Sequence, residues 1–471
     1  MIKQFFHKHW DGAGGIAALI PIAVPMIVSN IFDTVMMFMD RMYLSYVGKE
    51  HMASCMNAGL TAFSCMIFFV GVISYVSAMV ARYYGAGQAT KCPRIVFQGL
   101  QLGLLAYPLV VASGFVAVRT FAWAGHDPLQ IKLETTYFWY FLLGGGILAL
   151  LRAPLAAFFS GIGKTKIIMW ASFAAMLVNL VFDYLLIFGK FGFPKLGIVG
   201  AALGTILASL TVTGILSFVF LRYSRKKEYR NLLAWKYDPG ILRALLKFGI
   251  PNGVDSLLGT TAFNLAIAVF HGYGVDAAAA ITIVMNWDLL SFFPLMGVQI
   301  AVTTLVSQNL GAGNLKGAER AAYSGCKLTV CYSLFIMAIF IGLPGFLVSL
   351  FTPESSGLDY STVTKMAVPL LRWAACYLIF DGVYLAFSGA LRGGGDTFWA
   401  MLIGLVFHWF LAANVLVTTY VLDFSLLGSW RVWVLSSVLG STLIYWRFRQ
   451  GHWKKIKFSQ TEKVQEELPA C

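Results

Sequence analysis

The chain is short of charge. Asp, Glu, Lys and Arg make up only 12% of its 471 residues, against about 25% in a soluble globular domain. Acid is the scarcer sign, with 21 Asp and Glu against 35 Lys and Arg. A water-facing surface of ordinary composition cannot be built from so few charges. Cysteine is sparse as well. The seven cysteines form no CxxC pair of the metal-binding kind and fall mostly in apolar runs, where they read as small packing residues. There is no HExxH helix, no GxSxG elbow, no P-loop and no acid-rich run that would hold Mg²⁺. These absences argue against an enzyme. The first fifteen residues lack a signal-peptide layout: Lys3, Lys8 and two histidines precede a Gly-rich turn into an apolar run.

What is present is hydrophobic sequence, 59% of the chain. It is grouped into twelve segments of about 20–30 residues, each able to cross about 30 Å of hydrocarbon at about 1.5 Å per helical residue. They run roughly over 15–45, 53–81, 95–118, 136–159, 166–189, 196–221, 244–271, 278–309, 321–350, 366–391, 398–422 and 428–446. The expected fold class is an all-α integral membrane protein with twelve transmembrane helices.

The net charge of +14 might suggest nucleic acid, but its distribution does not. If both termini lie in the cytoplasm, the cytoplasmic segments hold 26 of the 35 Lys and Arg, counting 152–166 among them. That bias supports an even number of spans with both ends inside, in the plasma (inner) membrane. The basic surplus then reflects topology and contact with anionic lipid rather than a nucleic-acid partner.

The chain also repeats itself. "AVPMIVSN" around Pro25 corresponds to "GIPNGVDS" around Pro251, and "ARYYGAGQ" with Gly85 and Gly87 to "VSQNLGAGN" with Gly311 and Gly313, both at an offset of 226 residues. "GKT" at 163–165 and "GGDT" at 394–397 echo each other at a slightly larger offset. Each half holds six spans, so both halves begin on the same side of the membrane. This is a parallel repeat about an axis along the membrane normal, with two six-helix lobes around a central cavity. The expected organisation is an N-terminal lobe over 1–221, a basic cytoplasmic linker over 222–240, a C-terminal lobe over 241–450 and a cytoplasmic tail over 451–471.

Acids inside apolar segments are the chemically telling feature: Asp33, Asp40, Asp183, Asp255, Asp288 and Asp381. Each costs roughly 2.5–3.5 kcal/mol at the centre of a membrane helix, so such residues point to ion or proton pathways. Asp33 and Asp40 are seven apart and share one face of the first span, and Asn179 and Asp183 are four apart on the fifth. Thr205 lies in the sixth. Converging, these faces would give carboxylates, an amide oxygen and a hydroxyl, a set suited to Na⁺ or to a shared proton. Held separately, they would be hydrogen-bonded glue between helices.

The motifs resemble those of the multidrug and toxic compound extrusion (MATE) transporters, over nearly the whole chain. "PMIVSNIFDTVMMFMDRMYLSYVG" is similar to the family's opening helix, with Asp40 fifteen residues after Pro25. "NLVFDYLLIFGKFGFPKLGIVGAALGT" carries the Asn-x-x-x-Asp, Gly-x-x-Gly-Ala-Ala and Thr pattern, and "VSQNLGAGN" and "DGVYLAFSGALRGGGDT" match the loop after span 8 and the region of span 10. The resemblance implies export of amphipathic, often cationic, organic compounds in exchange for Na⁺ or H⁺, by alternating access of the two lobes. It implies that Asp40, Asn179, Asp183 and Thr205 form the N-lobe cation site and would hold Na⁺ in a sodium-coupled protein. It places Asp381 at the C-lobe site and makes Pro25 a candidate hinge. It implies no cofactor beyond the coupling ion, small organic molecules and lipid as partners, and a monomer.

Three positions depart from the family pattern. Asp33 stands where many members have Gln and adds an acid to the N-lobe site. Arg41 follows Asp40 where a small polar residue is usual. Gly259 stands where some members have a span-7 Glu, and Asp255, one turn earlier, is the candidate replacement. Asp288, beside Asn286 and Trp287, faces either the cavity or a neighbouring helix, and His271 and His408 read as hydrogen-bonded packing residues. The closest rival function is a flippase for a lipid-linked precursor. Such proteins carry basic cavities, whereas the intramembrane charges here are mostly acidic.

Overall fold

The structure is a computed structural model that describes residues 12–123, 127–230, 234–351 and 360–456. Lys3, Lys8, Cys471, residues 231–233 of the expected linker and most of the expected tail (457–471) lie outside the described residues.

Among the described residues, twelve long helices follow the apolar segments: α1 Ile16–Ser45, α2 Glu50–Gly85, α3 Ala89–Trp123, α4 Pro128–Gly161, α5 Lys166–Phe188, α6 Ile198–Ser224, α7 Pro239–His271, α8 Val275–Gly311, α9 Leu315–Gly342, α10 Ser361–Gly394, α11 Thr397–Tyr420 and α12 Leu426–Arg449. The described residues contain no strand. The chain is thus an all-helical, multi-pass membrane protein. Eleven of the helices are both long and apolar enough to cross a bilayer. The exception, α12, has 24 residues and reaches far enough, but Arg431, Arg447, Arg449 and several serines dilute its apolar character. Several helices, α2, α3 and α10 among them, overrun their apolar segment by about a turn at both ends, because backbone hydrogen bonding continues into the polar interface after hydrophobicity stops.

The overrun corrects one sequence-based expectation. Arg152 does not belong to a cytoplasmic loop. It lies two turns inside α4, in the segment Gly146–Gly161, and its partner is a carboxylate.

The internal repeat is visible in the backbone. Gly87 and Gly313 close α2 and α8 with φ of 71° and 73°, and Gly163 and Gly395 follow α4 and α10 with φ of 73° and 89°. The left-handed region at matched positions explains why glycine recurs there. By contact, the chain forms two compact units. One comprises residues 25–253 with 311–313, and the other residues up to 24, 254–310 and 314–456. The divisions inside α1 and α7 fall beside the matched prolines Pro25 and Pro251.

Within the first unit, Asn252 of α7 donates to the Gly71 carbonyl at 2.6 Å and to Ser74 Oγ at 3.0 Å. Glu134 of α4, fully buried, accepts from Asn57 of α2 at 3.0 Å and from Gln130 at 2.9 Å. The second unit is bound around α10. Ser307 of α8 donates to the Gly393 carbonyl at 2.8 Å, and Ser333 and Thr329 of α9 donate to the carbonyls of Leu378 at 2.8 Å and Gly382 at 2.9 Å. Apolar burial cannot distinguish a helix neighbour from a lipid tail, so small residues and hydroxyls supply the specificity.

Removing that glue should be measurable. Ser307→Ala and Ser333→Ala should each cost about 0.6 kcal/mol and together about 1 kcal/mol, read as a lower unfolding midpoint in detergent. An unchanged midpoint in the double variant would show that apolar contact alone holds α10.

Candidate cation-coupling site

In the first unit, α1, α5 and α6 bring Asp40, Asn179, Asp183 and Thr205 together. The spacing of four residues puts Asn179 and Asp183 one turn apart on α5. The Asn179 amide nitrogen donates to Asp40 Oδ1 at 3.1 Å and to Asp183 Oδ2 at 3.0 Å. Thr205 Oγ1 lies 3.1 Å from Asp40 Oδ2 and 2.9 Å from the Ala201 carbonyl, and its single proton serves one of them at a time. Asp40 is 6% exposed, and Asn179 and Asp183 are not exposed at all. The two carboxylates are themselves close enough to share a hydrogen bond. With one neutral amide between them and no cation, two full negative charges cannot persist in so dry a place. A proton or a small cation completes the set.

The donor chemistry fits either. Every group is a hard oxygen ligand, as Na⁺ requires. Asn179 Oδ1 and Asp183 Oδ1 make no hydrogen bond among the described residues, which leaves them available to a cation. Backbone approach makes the cluster possible: a Cβ on Gly204 of α6 would collide with Asp183 Oδ1.

Asp33 shares the Asp40 face but is held two turns away, beside Arg152 of α4 at 3.9 Å. Sequence reasoning missed Tyr137 and Cys55, whose hydroxyl and thiol hydrogen-bond within electrostatic reach of Asp40 and Asp183. Neither carries a signal in the sequence. Arg152 did carry one, as a charge inside an apolar segment.

The second unit uses its acids differently. Asp255 of α7 is ion-paired with Arg392 of α10, so it is not a free substitute for the absent glutamate. The Gly259 position faces the ring of His408, with Nδ1 3.6 Å from where a Cβ would lie. His408 Nδ1 lies 2.7 Å from the Gly404 carbonyl and its ring within electrostatic reach of Asp255. Gly404 again makes room: a Cβ there would collide with Asp255 Oδ1. Asp381 lies near Asp288, and Asp288 accepts a hydrogen bond from Tyr377. Trp287 donates to the Leu347 carbonyl at 3.1 Å. His271 is exposed at the end of α7.

Comparison with known proteins shows the family. The MatE family model matches residues 25–185 and 251–414, one match in each half. The chain belongs to the MatE family, the multidrug and toxic compound extrusion transporters. It is 25% identical to a probable multidrug resistance protein NorM of Thermotoga maritima over 455 residues, covering 95% of both chains. It is 28% identical to one from Synechococcus over 463 residues, again covering 95% of both. Its fold matches that of a MOP-superfamily transporter from Pyrococcus furiosus with a TM-score of 0.85 at 19% identity, covering 94% of this chain and 98% of the other.

Gly204→Ala should displace Asp183 from Asn179 and abolish transport while the protein still inserts. Gly214→Ala on the same helix, where nothing lies within 4 Å, should be silent, and equal activity of the two variants would contradict the packing constraint. In the other unit, Arg392→Gln should destabilise the protein by about 3–5 kcal/mol by stranding Asp255, and Asp255→Asn/Arg392→Gln should recover most of the loss. Thermal unfolding in detergent reads both.

Proposed function

We propose that the chain is a secondary efflux transporter that exports amphipathic organic compounds bearing a cationic group, by antiport with Na⁺ or H⁺. The observation that carries this is the Asp40–Asn179–Asp183–Thr205 cluster, two dry carboxylates joined by one amide. Such a cluster changes its interactions sharply when a cation or proton arrives. Arg152 and Arg392 are each matched by an acid, so the intramembrane charge does not favour an anionic lipid-linked headgroup.

The cycle works by linkage. A cation binding at the cluster draws α1, α5 and α6 together, and an organic substrate favours the lobe shape in which they are apart. Each shifts the equilibrium only by its differential affinity for the two shapes. Pro25 interrupts the hydrogen bonding of α1 and gives that helix a place to bend. The lobes spanning 1–221 and 241–450 alternate access across a membrane whose cytoplasmic side holds both termini. Relatives named for multidrug resistance support the substrate class.

In proteoliposomes with Na⁺ and pH gradients imposed separately, one of the two should drive uptake of a fluorescent organic cation into inverted vesicles. Asp40→Asn and Asp183→Asn should each reduce gradient-driven transport by at least about a hundredfold, as loss of an essential ionisable group does, with normal insertion. Transport at wild-type rates in either variant would refute the N-lobe as coupling site.

A further inference from the structure

The first turns of α7, within the first unit, carry a surface that the coupling site does not use. Ile241, Leu245, Phe248 and Asn252 are buried, a helical stripe that faces α2. Phe248 stacks on Tyr75 with ring centroids 5.8 Å apart, and a Cβ on Gly249 or Gly253 would collide with the carbonyl of Val72 or Phe68. The face turned away from α2 carries Arg243, Leu246, Lys247 and Ile250. With Tyr237, just before the helix, these side chains line a groove of about 540 Å³, within the range of about 300–1,000 Å³ usual for small-ligand sites.

The groove wall is fixed in place. Gln98 of α3, fully buried, donates to the Lys236 carbonyl at 3.0 Å and accepts from the Asp238 amide at 3.0 Å. Gln101 donates to the Trp235 carbonyl at 3.0 Å, and Arg94 pairs with Asp238 at 3.2 Å. The strap so formed sets Tyr237 beside the helix. Asp238 Oδ1 also accepts from the Gly240 and Ile241 amides at 3.0 and 3.2 Å, so the helix end is already capped and an anion there meets side chains. Arg243 and Lys247 are exposed one turn apart. Lys247 lies 5.4 Å over the Phe248 ring, and neither it nor Arg243 meets an acid among the described residues. Ile250 is 43% exposed and Tyr237 61%.

We propose that this groove is a binding site for one membrane phospholipid with a net negative headgroup. Arg243 and Lys247 hold its phosphate, Tyr237 flanks the headgroup, and an acyl chain lies along Leu246 and Ile250. Charge and depth both fit. Arg243 stands at the edge of the apolar run of α7, and Ile250 lies about 10 Å further along the helix, at about 1.5 Å per residue. A basic pair at the interface followed by an exposed apolar ridge matches a lipid from phosphate to chain, and tyrosine suits the headgroup level. The arginine fork takes two phosphate oxygens and the lysine adds a point charge. A headgroup with its own quaternary ammonium brings a cation to a site that already holds two. The site is independent of the export function proposed above.

The test titrates the full-length protein in detergent with dioleoyl phosphatidylglycerol or dioleoyl phosphatidylcholine, which share acyl chains and differ in headgroup charge. Native mass spectrometry counts the bound lipid. Wild type should hold one phosphatidylglycerol at least about tenfold more tightly than phosphatidylcholine, the scale of two basic groups at a membrane surface. Arg243→Gln/Lys247→Gln should erase that preference, and Arg243→Lys/Lys247→Arg should keep it. Arg225→Gln/Lys227→Gln removes the same charge from exposed residues outside the groove and should also keep it. Equal loss from the two Gln pairs means diffuse attraction and overturns the site. Displacement of the lipid by excess glycerol 3-phosphate overturns the lipid as occupant. Equal retention of both lipids by wild type overturns the proposal without any variant.

Discussion

Everything at the candidate coupling site depends on one amide. The Asn179 side chain donates one proton to each of two carboxylates that would repel each other in a medium of low dielectric constant. Without that bridge, α1 and α5 would have little reason to hold their acids together. With it, the pair lacks only a counter-charge. Thr205 anchors the same carboxylate from α6, and Gly204 lets that helix come close enough to do so. Three helices therefore meet at one small polar spot, and under the proposed function a cation bound there would act on all of them.

The two halves share a scaffold and use charge differently. Matched glycines in the left-handed region end corresponding helices, and matched prolines interrupt α1 and α7. On that common frame the first half joins Asp40 and Asp183 through the Asn179 amide and sets Asp33 beside Arg152. The second half neutralises Asp255 with Arg392 and sets a histidine ring against Gly259. Asp288 and Asp381 remain near each other, with Tyr377 as a hydroxyl partner. The two halves therefore differ in how their acids are joined: an amide bridges the pair in the first, whereas Asp255 in the second is ion-paired. A buried ion pair is self-contained, whereas a bridged pair of carboxylates is not.

Much of the fold was legible because a bilayer imposes simple rules. The spans could be read from apolar runs because a solvent that cannot hydrogen-bond admits only long, self-satisfied helices. The grouping of Asn179 with Asp183 was legible from helical spacing, and their approach to Asp40 and Thr205 from the family pattern. Arg152 was counted with the loop charges although it falls inside the apolar run 136–159, because its partner Asp33 lies more than a hundred residues away in sequence. Tyr137 and Cys55 were invisible for a related reason. Their closeness to the acids is set by how α2 and α4 pack, and no local pattern encodes it. The glycines at 204 and 404 matter only through what faces them.

The measurement closest to the central claim is ion release on substrate binding. The detergent-solubilised protein, preloaded with Na⁺ or poised at a set pH in weak buffer, is titrated with an organic cation while released Na⁺ or protons are counted. Linked binding at a single bridged carboxylate pair predicts one ion released per substrate bound, and none from Asp183→Asn. Substrate binding with no release, or undiminished release from that variant, would contradict the account.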